Sequence, residues 1–165
     1  HQEGLRLAMQ RKDTSEVIQA LNNIGTNFRR LGIMDEASNY HYRALSLCER
    51  LGDKESYKAR KNRTISLSGI GNVYLTLENC EMADSIFRIA LEEERTLDSD
   101  LGLAMNYANL GSIFEMRGMM DSAFVYYNYS MEHNRAAGSV VGTGEYLQGR
   151  SANGGGFLGA CGGCR

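Results

Sequence analysis

Apolar and small residues recur along the chain with a helical period, in three copies that share one internal spacing. Each copy has a large residue, an apolar residue three positions later, then a glycine, and an aromatic residue three positions after the glycine. A turn follows, and then small, ring-bearing and small residues recur in steps of four and three. The positions are Leu21, Ile24, Gly25, Phe28, Ala37, His41 and Ala44; Leu67, Ile70, Gly71, Tyr74, Ala83, Phe87 and Ala90; and Tyr107, Leu110, Gly111, Phe114, Ala123, Tyr127 and Ser130. Three copies with one spacing are an internal repeat, which determines the fold class.

The periodic segments predict six helices in three pairs. They cover roughly residues 14–31, 34–50, 55–77, 80–97, 101–117 and 120–137. Gly52 and Gly138 follow two of these segments and are expected to adopt the left-handed conformation that ends a helix.

The repeated phrase resembles the tetratricopeptide repeat, a helix-turn-helix unit with large-x-x-Leu-Gly-x-x-Tyr on its first helix and Ala-x-x-x-Phe on its second. The family's tryptophan position holds Leu or Tyr here, and the chain contains no proline. The glycines of the first helices, Gly25, Gly71 and Gly111, are expected to allow a close approach to the second helices. The resemblance implies an all-α fold, a right-handed α-solenoid with three full copies and partial copies at its ends.

The repeat predicts how the chain is divided. The array is expected to span residues 1–141, with the end of a truncated repeat at 1–11 and full copies at 14–53, 54–99 and 100–138. Residues 142–165 are rich in glycine, which disfavours a packed helix, and are expected to form a flexible or non-native tail.

The spacing between copies is uneven, with 46 residues from Gly25 to Gly71 and 40 from Gly71 to Gly111. Both exceed the roughly 34 residues typical of the family. The additional residues lie between Asp53 and Thr64, and this stretch is basic. Its cations are Lys54, Lys58, Arg60, Lys61 and Arg63. It is either the solvated face of a longer helix or a docking patch for an acidic partner.

Composition limits the function classes. The chain has 165 residues and a formal net charge of −2, so nothing favours nucleic-acid binding, which usually requires a basic surface. No run of eighteen apolar residues is present, so no membrane span is expected within this segment. The four cysteines leave the compartment open between cytoplasm and periplasm.

Candidate catalytic chemistry is sparse. Cys161 and Cys164 form a CxxC pair, which suits either a redox pair or half of a zinc site. It lacks a second ligand pair and the strand-helix context of a thioredoxin-like motif. Cys48 and Cys80 fall within helical patterns and are expected to fill space in the core. No cofactor, no metal and no enzymatic activity are therefore predicted.

The resemblance implies that the first helices line a concave groove, with the side chains between the packing positions facing into it. The residues predicted to bind a partner there are Gln19, Asn22, Asn23, Thr26, Arg29, Arg30, Ser68, Asn72, Leu75, Met105, Asn109, Ser112 and Met116. The remaining positions of the same face hold Ile65, Gly69, Thr76, Ala108 and Glu115.

This face is mostly neutral, and its asparagines Asn23, Asn72 and Asn109 can donate to and accept from the backbone of an extended peptide. The alternative is that neutral polar residues only solvate an exposed face. A clamp for a terminal carboxylate, known in this family, is not expected, because its cationic positions correspond to Asn22, Met105 and Asn109.

The resemblance extends to the repeat-bearing sensor regions of bacterial signalling regulators. It implies a scaffold that binds a protein or peptide, and composition predicts no membrane or nucleic-acid contact through this segment. Two alternatives remain open: a thiol or metal function of the CxxC pair, and a structural spacer that self-associates through its end repeats.

Overall fold

The computed structural model describes residue 3 and residues 14–50 and 55–138. Six helices follow one another in these ranges. They are α1 (Thr14–Arg30), α2 (Met34–Glu49), α3 (Tyr57–Thr76), α4 (Cys80–Thr96), α5 (Asp100–Met116) and α6 (Met120–Ala136). The expectations for Gly52, Lys54, the glycine-rich tail with its CxxC pair, and almost all of residues 1–11 lie outside the described residues.

The helices pack as three consecutive pairs, α1 with α2, α3 with α4, and α5 with α6. Each second helix also contacts the next first helix. In addition, α1 contacts α3 and α3 contacts α5, whereas α2, α4 and α6 make no such contacts with one another in the described residues. The first helices therefore form one continuous layer, and the predicted all-α chain of packed helix pairs is confirmed for residues 14–50 and 55–138.

One contact recurs inside every pair, between the glycine of the first helix and the ring of the second. A Cβ atom added at Gly25 would lie 2.9 Å from the ring of His41, and one at Gly71 would lie 2.6 Å from that of Phe87. At Gly111 the distance to the ring of Tyr127 would be 2.8 Å. Such distances are too short for a methyl group, so the predicted close approach at the three glycines is confirmed.

The core lies along the seam between the two helices of each pair. The small residues of the second helices, Ala37, Ala44, Ala83 and Ala90, are completely buried. Larger residues fill the space around them in two clusters. The first contains Ile18, Leu21, Ala44 and Cys48, and the second contains Cys80, Ala83, Phe87, Leu91, Leu103, Tyr107, Leu110 and Ile113.

The turn inside each pair has one conformation, in which its second residue has positive φ. That residue is Gly32 in the first turn, Glu78 in the second and Gly118 in the third. The residues after the second and third pairs adopt the same conformation, with Asp98 at φ 51° after α4 and Gly138 at φ 70° after α6. The left-handed conformation predicted for Gly138 is confirmed.

The longer spacing of the second copy is partly a longer helix, since α3 has 20 residues where α1 has 17. It begins at Tyr57 because the Ser56 side chain accepts a hydrogen bond from the Ala59 N–H and caps the helix. In the part of the chain that the structure describes, no helix has the length and apolar character needed to cross a membrane.

The basic stretch at the start of α3 forms ion pairs with acidic residues of α4. Arg60 and Arg63 both pair with Glu93 on α4, and Lys61 pairs with Glu94 at 2.7 Å. Three of the five cations therefore join α3 to α4, a role that neither sequence interpretation included.

Candidate ligand-binding groove

A groove runs across the layer of first helices and encloses a cavity of about 440 Å³. We use the word groove for this cavity and its lining. Helix α1 contributes Asn22, Asn23, Thr26, Arg29 and Arg30; α3 contributes Lys61, Ile65, Ser68, Gly69 and Asn72; and α5 contributes Leu101, Gly102, Met105 and Asn106. His41 and Glu94 reach it from the second helices, each between two first helices.

Eight of the residues predicted to bind a partner line this groove. They are Asn22, Asn23, Thr26, Arg29, Arg30, Ser68, Asn72 and Met105. The first helices bring them together because residues three and four apart lie on one helix face.

The other five predicted residues lie away from the groove. Leu75 and Met116 pack against the larger core cluster, and the Ser112 hydroxyl lies 3.1 Å from the Tyr127 hydroxyl. Gln19 is exposed on α1, and Asn109 is half-buried on α5. The groove therefore covers only part of the predicted binding face, namely α1, the middle of α3 and the first half of α5.

A chain of buried hydrogen bonds fixes the floor of the groove between α1 and α3. The Ser66 hydroxyl donates to the Asn62 carbonyl at 3.0 Å and accepts from the Asn22 amide nitrogen at 2.9 Å. The Asn22 Oδ1 atom then faces His41 Nδ1 at 3.0 Å. Asn22 is consequently part of the floor, with its amide already bound inside the protein.

This chain determines which His41 nitrogen carries the proton. Because the Asn22 amide nitrogen donates to Ser66, its oxygen is the acceptor, so His41 Nδ1 must be the donor. Burial, with the nearby Arg29 guanidinium as a second cause, lowers the pKa of His41 from 6.5 to about 4. The ring is neutral at pH 7, and Nε2 is an acceptor with an open lone pair.

The His41 Nε2 atom has no partner. Within residues 14–50 and 55–138 it is the only buried side-chain nitrogen or oxygen without a hydrogen bond. The ring lies between two glycines: a Cβ atom would lie 2.9 Å from Nε2 at Gly25 and 2.3 Å from Nδ1 at Gly69. Buried polar atoms are nearly always bonded, so this exception requires an explanation.

The other end of the groove contains a closed ion pair. The Lys61 ammonium contacts both carboxylate oxygens of Glu94, at 3.0 and 2.7 Å, and the Ser99 hydroxyl at 2.7 Å. Glu94 is buried, and its carboxylate occupies the space that a side chain at Gly102 would need. The charges compensate each other, so this end presents little net charge.

The charge that remains belongs to α1. Arg29 and Arg30 line the groove, and neither forms an ion pair with any residue that the structure describes. The opposite wall is apolar, with Ile65, Leu101 and Met105 each about half exposed. The groove thus joins a cationic end, a neutral polar floor and an apolar wall.

A larger cavity, of about 570 Å³, lies between α2, α3 and α4, but it is a weaker candidate. Its cations Arg60 and Arg63 are both held by Glu93, and no buried polar atom in it lacks a partner. Among the described residues, no group of three or more His, Cys, Asp or Glu side chains is placed to hold a metal ion.

The sequence predicts only part of what the second helices contribute. The repeat gives His41 a ring-packing position in the core or at the groove edge, but it does not predict that Glu94 reaches the groove and binds Lys61 there. One signal was present in the repeat alignment: the position of Asn23 and Asn109 in the other copies is Gly69 in the second. A glycine inside a helix indicates that another group approaches closely, and here that group is the His41 ring.

No protein-family model and no curated protein matches this chain. The tetratricopeptide resemblance therefore rests on the repeated phrase and on the helix contacts described above.

Proposed function

We propose that this chain is a tetratricopeptide-repeat interaction module, a right-handed solenoid whose groove binds a peptide or a partner domain. In this proposal it is the sensing or docking part of a bacterial signalling regulator. The observation that carries it is the groove itself, a cavity of about 440 Å³ that is lined by side chains from all three first helices.

Three features of the packing support the family assignment. Each pair has the small-residue and ring contacts that the repeated phrase requires. Successive first helices contact one another while successive second helices do not, among the described residues, which supports an array whose inner face is formed by α1, α3 and α5. The turn conformation is also the same in the three pairs.

The chemistry of the groove supports peptide binding. Asn23 and Asn72 line it, and no hydrogen bond of either side chain is present within the described part of the chain, so both amides are available to a ligand backbone. Exposed apolar residues beside them offer a surface for a ligand side chain.

The test is selection of a random hexapeptide phage library on the immobilised chain, followed by anisotropy titration of a synthetic peptide from the selected pool. We expect the double variant Asn23→Ala/Asn72→Ala to weaken binding of that peptide by at least 10-fold, since two backbone contacts are lost.

The control is Asn39→Ala/Ser85→Ala, which makes similar changes on the exposed faces of α2 and α4. This variant should bind as the unmodified chain does. Equal binding by all three folded proteins, or a library that yields no binding peptide, would contradict the proposed function.

A second candidate is self-association, because α6 exposes large apolar side chains. Met120 is 60% exposed and Phe124 is 65% exposed, one helical turn apart. Sedimentation velocity should then show a dimer that Met120→Ser/Phe124→Ser converts to a monomer. Met82→Ser on α4 is the control. If the unmodified chain sediments as a monomer at every concentration across a 100-fold range, this candidate is contradicted.

A further inference from the structure

We propose that the groove takes an extended acidic peptide, and that His41 Nε2 accepts a hydrogen bond from one backbone N–H of that peptide. The inference rests on the proposed function and names the class of ligand and its anchor.

The first step is the acceptor at the groove floor. His41 is 1% exposed, its Nδ1 proton is bound by Asn22, and its Nε2 atom has no partner among the described residues. An orphaned buried acceptor is costly in the free protein, and a ligand that donates to it removes that cost. The ligand must therefore present a donor at this point.

The second step is the kind of donor. Arg29 is close enough to lower the pKa of His41, so a cation at Nε2 would meet an unpaired guanidinium. A neutral donor is favoured, and an amide N–H or a hydroxyl satisfies that requirement.

The third step is the charge of the ligand. Arg29 and Arg30 line the same groove and pair with no acidic residue in ranges 14–50 and 55–138, whereas Lys61 at the far end is held by Glu94. A ligand carboxylate near α1 would form charge-assisted hydrogen bonds with these guanidinium groups.

The fourth step is the length of the ligand. Three packed helices at about 8–10 Å spacing place the α1 and α5 walls roughly 16–20 Å apart. An extended chain covers about 3.3 Å per residue, so roughly five or six residues connect the arginines to the apolar wall of Leu101 and Met105. A peptide with an acidic residue near one end and an apolar residue near the other meets all these requirements.

The His41 acceptor has no counterpart in the second pair. In the second pair Phe87 occupies the position of His41, and it offers no acceptor. The proposal therefore places a single backbone N–H of the ligand at the contact between α1 and α3.

The experiment uses the complete chain and a synthetic hexapeptide from the phage selection. The selected pool should be enriched in Asp or Glu, and Arg29→Gln/Arg30→Gln should weaken the peptide about 10-fold at low salt and less at high salt. Succinate at millimolar concentration should not displace it, whereas displacement would identify a small organic acid as the occupant and overturn the peptide assignment.

The anchor is tested by methylating the peptide's backbone nitrogens one at a time. One N-methyl peptide should lose about 5- to 10-fold in affinity for the unmodified chain and almost nothing for His41→Phe, a variant that keeps a ring between Gly25 and Gly69. The long-range NMR signal of His41 Nε2 should also shift on peptide addition.

Thermal unfolding of His41→Phe checks that the variant is folded, and His41→Gln serves as a second variant that keeps an acceptor. Equal sensitivity of both proteins to every N-methyl peptide, with an unshifted Nε2 signal, would overturn the anchor while the groove still binds. If the unmodified chain bound no peptide at all, the proposed function itself would be contradicted.

Discussion

Two contacts between neighbouring first helices share one hydrogen bond but receive different groups from the second helices. We call the α1–α3 contact the first junction and the α3–α5 contact the second junction. At the first, Asn22 bonds to Ser66, and at the second their counterparts Ser68 and Asn106 bond at 3.1 Å. The shared hydrogen bond keeps the layer of first helices continuous.

The groups inserted from the second helices are what distinguish the junctions. The first junction receives the neutral ring of His41 beside Gly69, and the second receives the Glu94 carboxylate beside Gly102. The carboxylate is neutralised by Lys61, but the ring has an acceptor without a partner in the described residues. Among the described residues, the inserted group of the second junction is therefore paired, whereas that of the first retains one unpaired acceptor.

The largest expected effect breaks the second junction. Lys61→Met removes the cation that faces the buried Glu94 carboxylate, so the free energy of unfolding should fall by about 3 kcal/mol in urea denaturation. The double variant Lys61→Met/Glu94→Met should recover most of that loss, because no buried charge remains. A single variant as stable as the unmodified chain would mean that Glu94 needs no partner.

The next largest effect breaks the first junction. Gly69→Ala places a Cβ atom 2.3 Å from His41 Nδ1, so unfolding should require about 2 kcal/mol less free energy. Asn109→Gly at the equivalent position of the second junction should cost only about 0.3 kcal/mol, from helix propensity alone. Adding His41→Ala to Gly69→Ala should give less than the sum of the two losses. Additive losses would show that the ring and Gly69 do not interact.

The pH dependence of stability should report on the first junction through His41. The pKa of His41 is about 4 in the folded chain and about 6.5 when unfolded, so the unfolded chain binds more protons between these values. The stability that the neutral ring contributes is complete above pH 6.5 and is lost as the pH falls towards 4. Between pH 7 and pH 5 the loss should be nearly 2 kcal/mol by the linkage relation.

Urea midpoints at pH 7 and pH 5 measure this, with His41→Phe as the reference that lacks the titrating group. The unmodified chain should lose more stability than the variant over that interval. Equal losses in both proteins would show that His41 titrates as freely in the folded chain as in the unfolded one.

The two junctions also differ in how much of their structure the sequence predicts. Periodicity is local along the chain, and it predicts the helix pairs and their ends to within two residues. It also predicts the close contacts of Gly25, Gly71 and Gly111. The groove face of α1 follows for the same reason. The inserted groups do not, since the position of His41 next to Gly69 depends on how one pair packs on the next.

The same limit explains where individual residues lie within the predicted face. Asn22 lines the groove as predicted, but its amide also bonds to Ser66 and His41, residues 44 and 19 positions away. Leu75 and Met116 have groove spacing but lie near the helix ends, where the core cluster covers them. The pairing of polar groups far apart in sequence and the extent of a groove both depend on tertiary packing. The hydrophobic period of a single helix does not predict either of them.

The smallest expected effect concerns the connection that leads into the second junction. Asp98, between α4 and α5, has φ 51°, a conformation that glycine adopts without strain and that Gly138 provides after α6. Asp98→Gly should therefore stabilise the chain by about 0.5 kcal/mol, with part of the gain lost to the greater freedom of the unfolded chain. The matched variant Gly118→Asp, at φ 74° and with open space around it, should destabilise by a similar amount. Thermal unfolding measures both, and the contrast requires opposite signs: if both variants lowered the melting temperature, Asp98 would contribute more through its side chain than its backbone conformation costs.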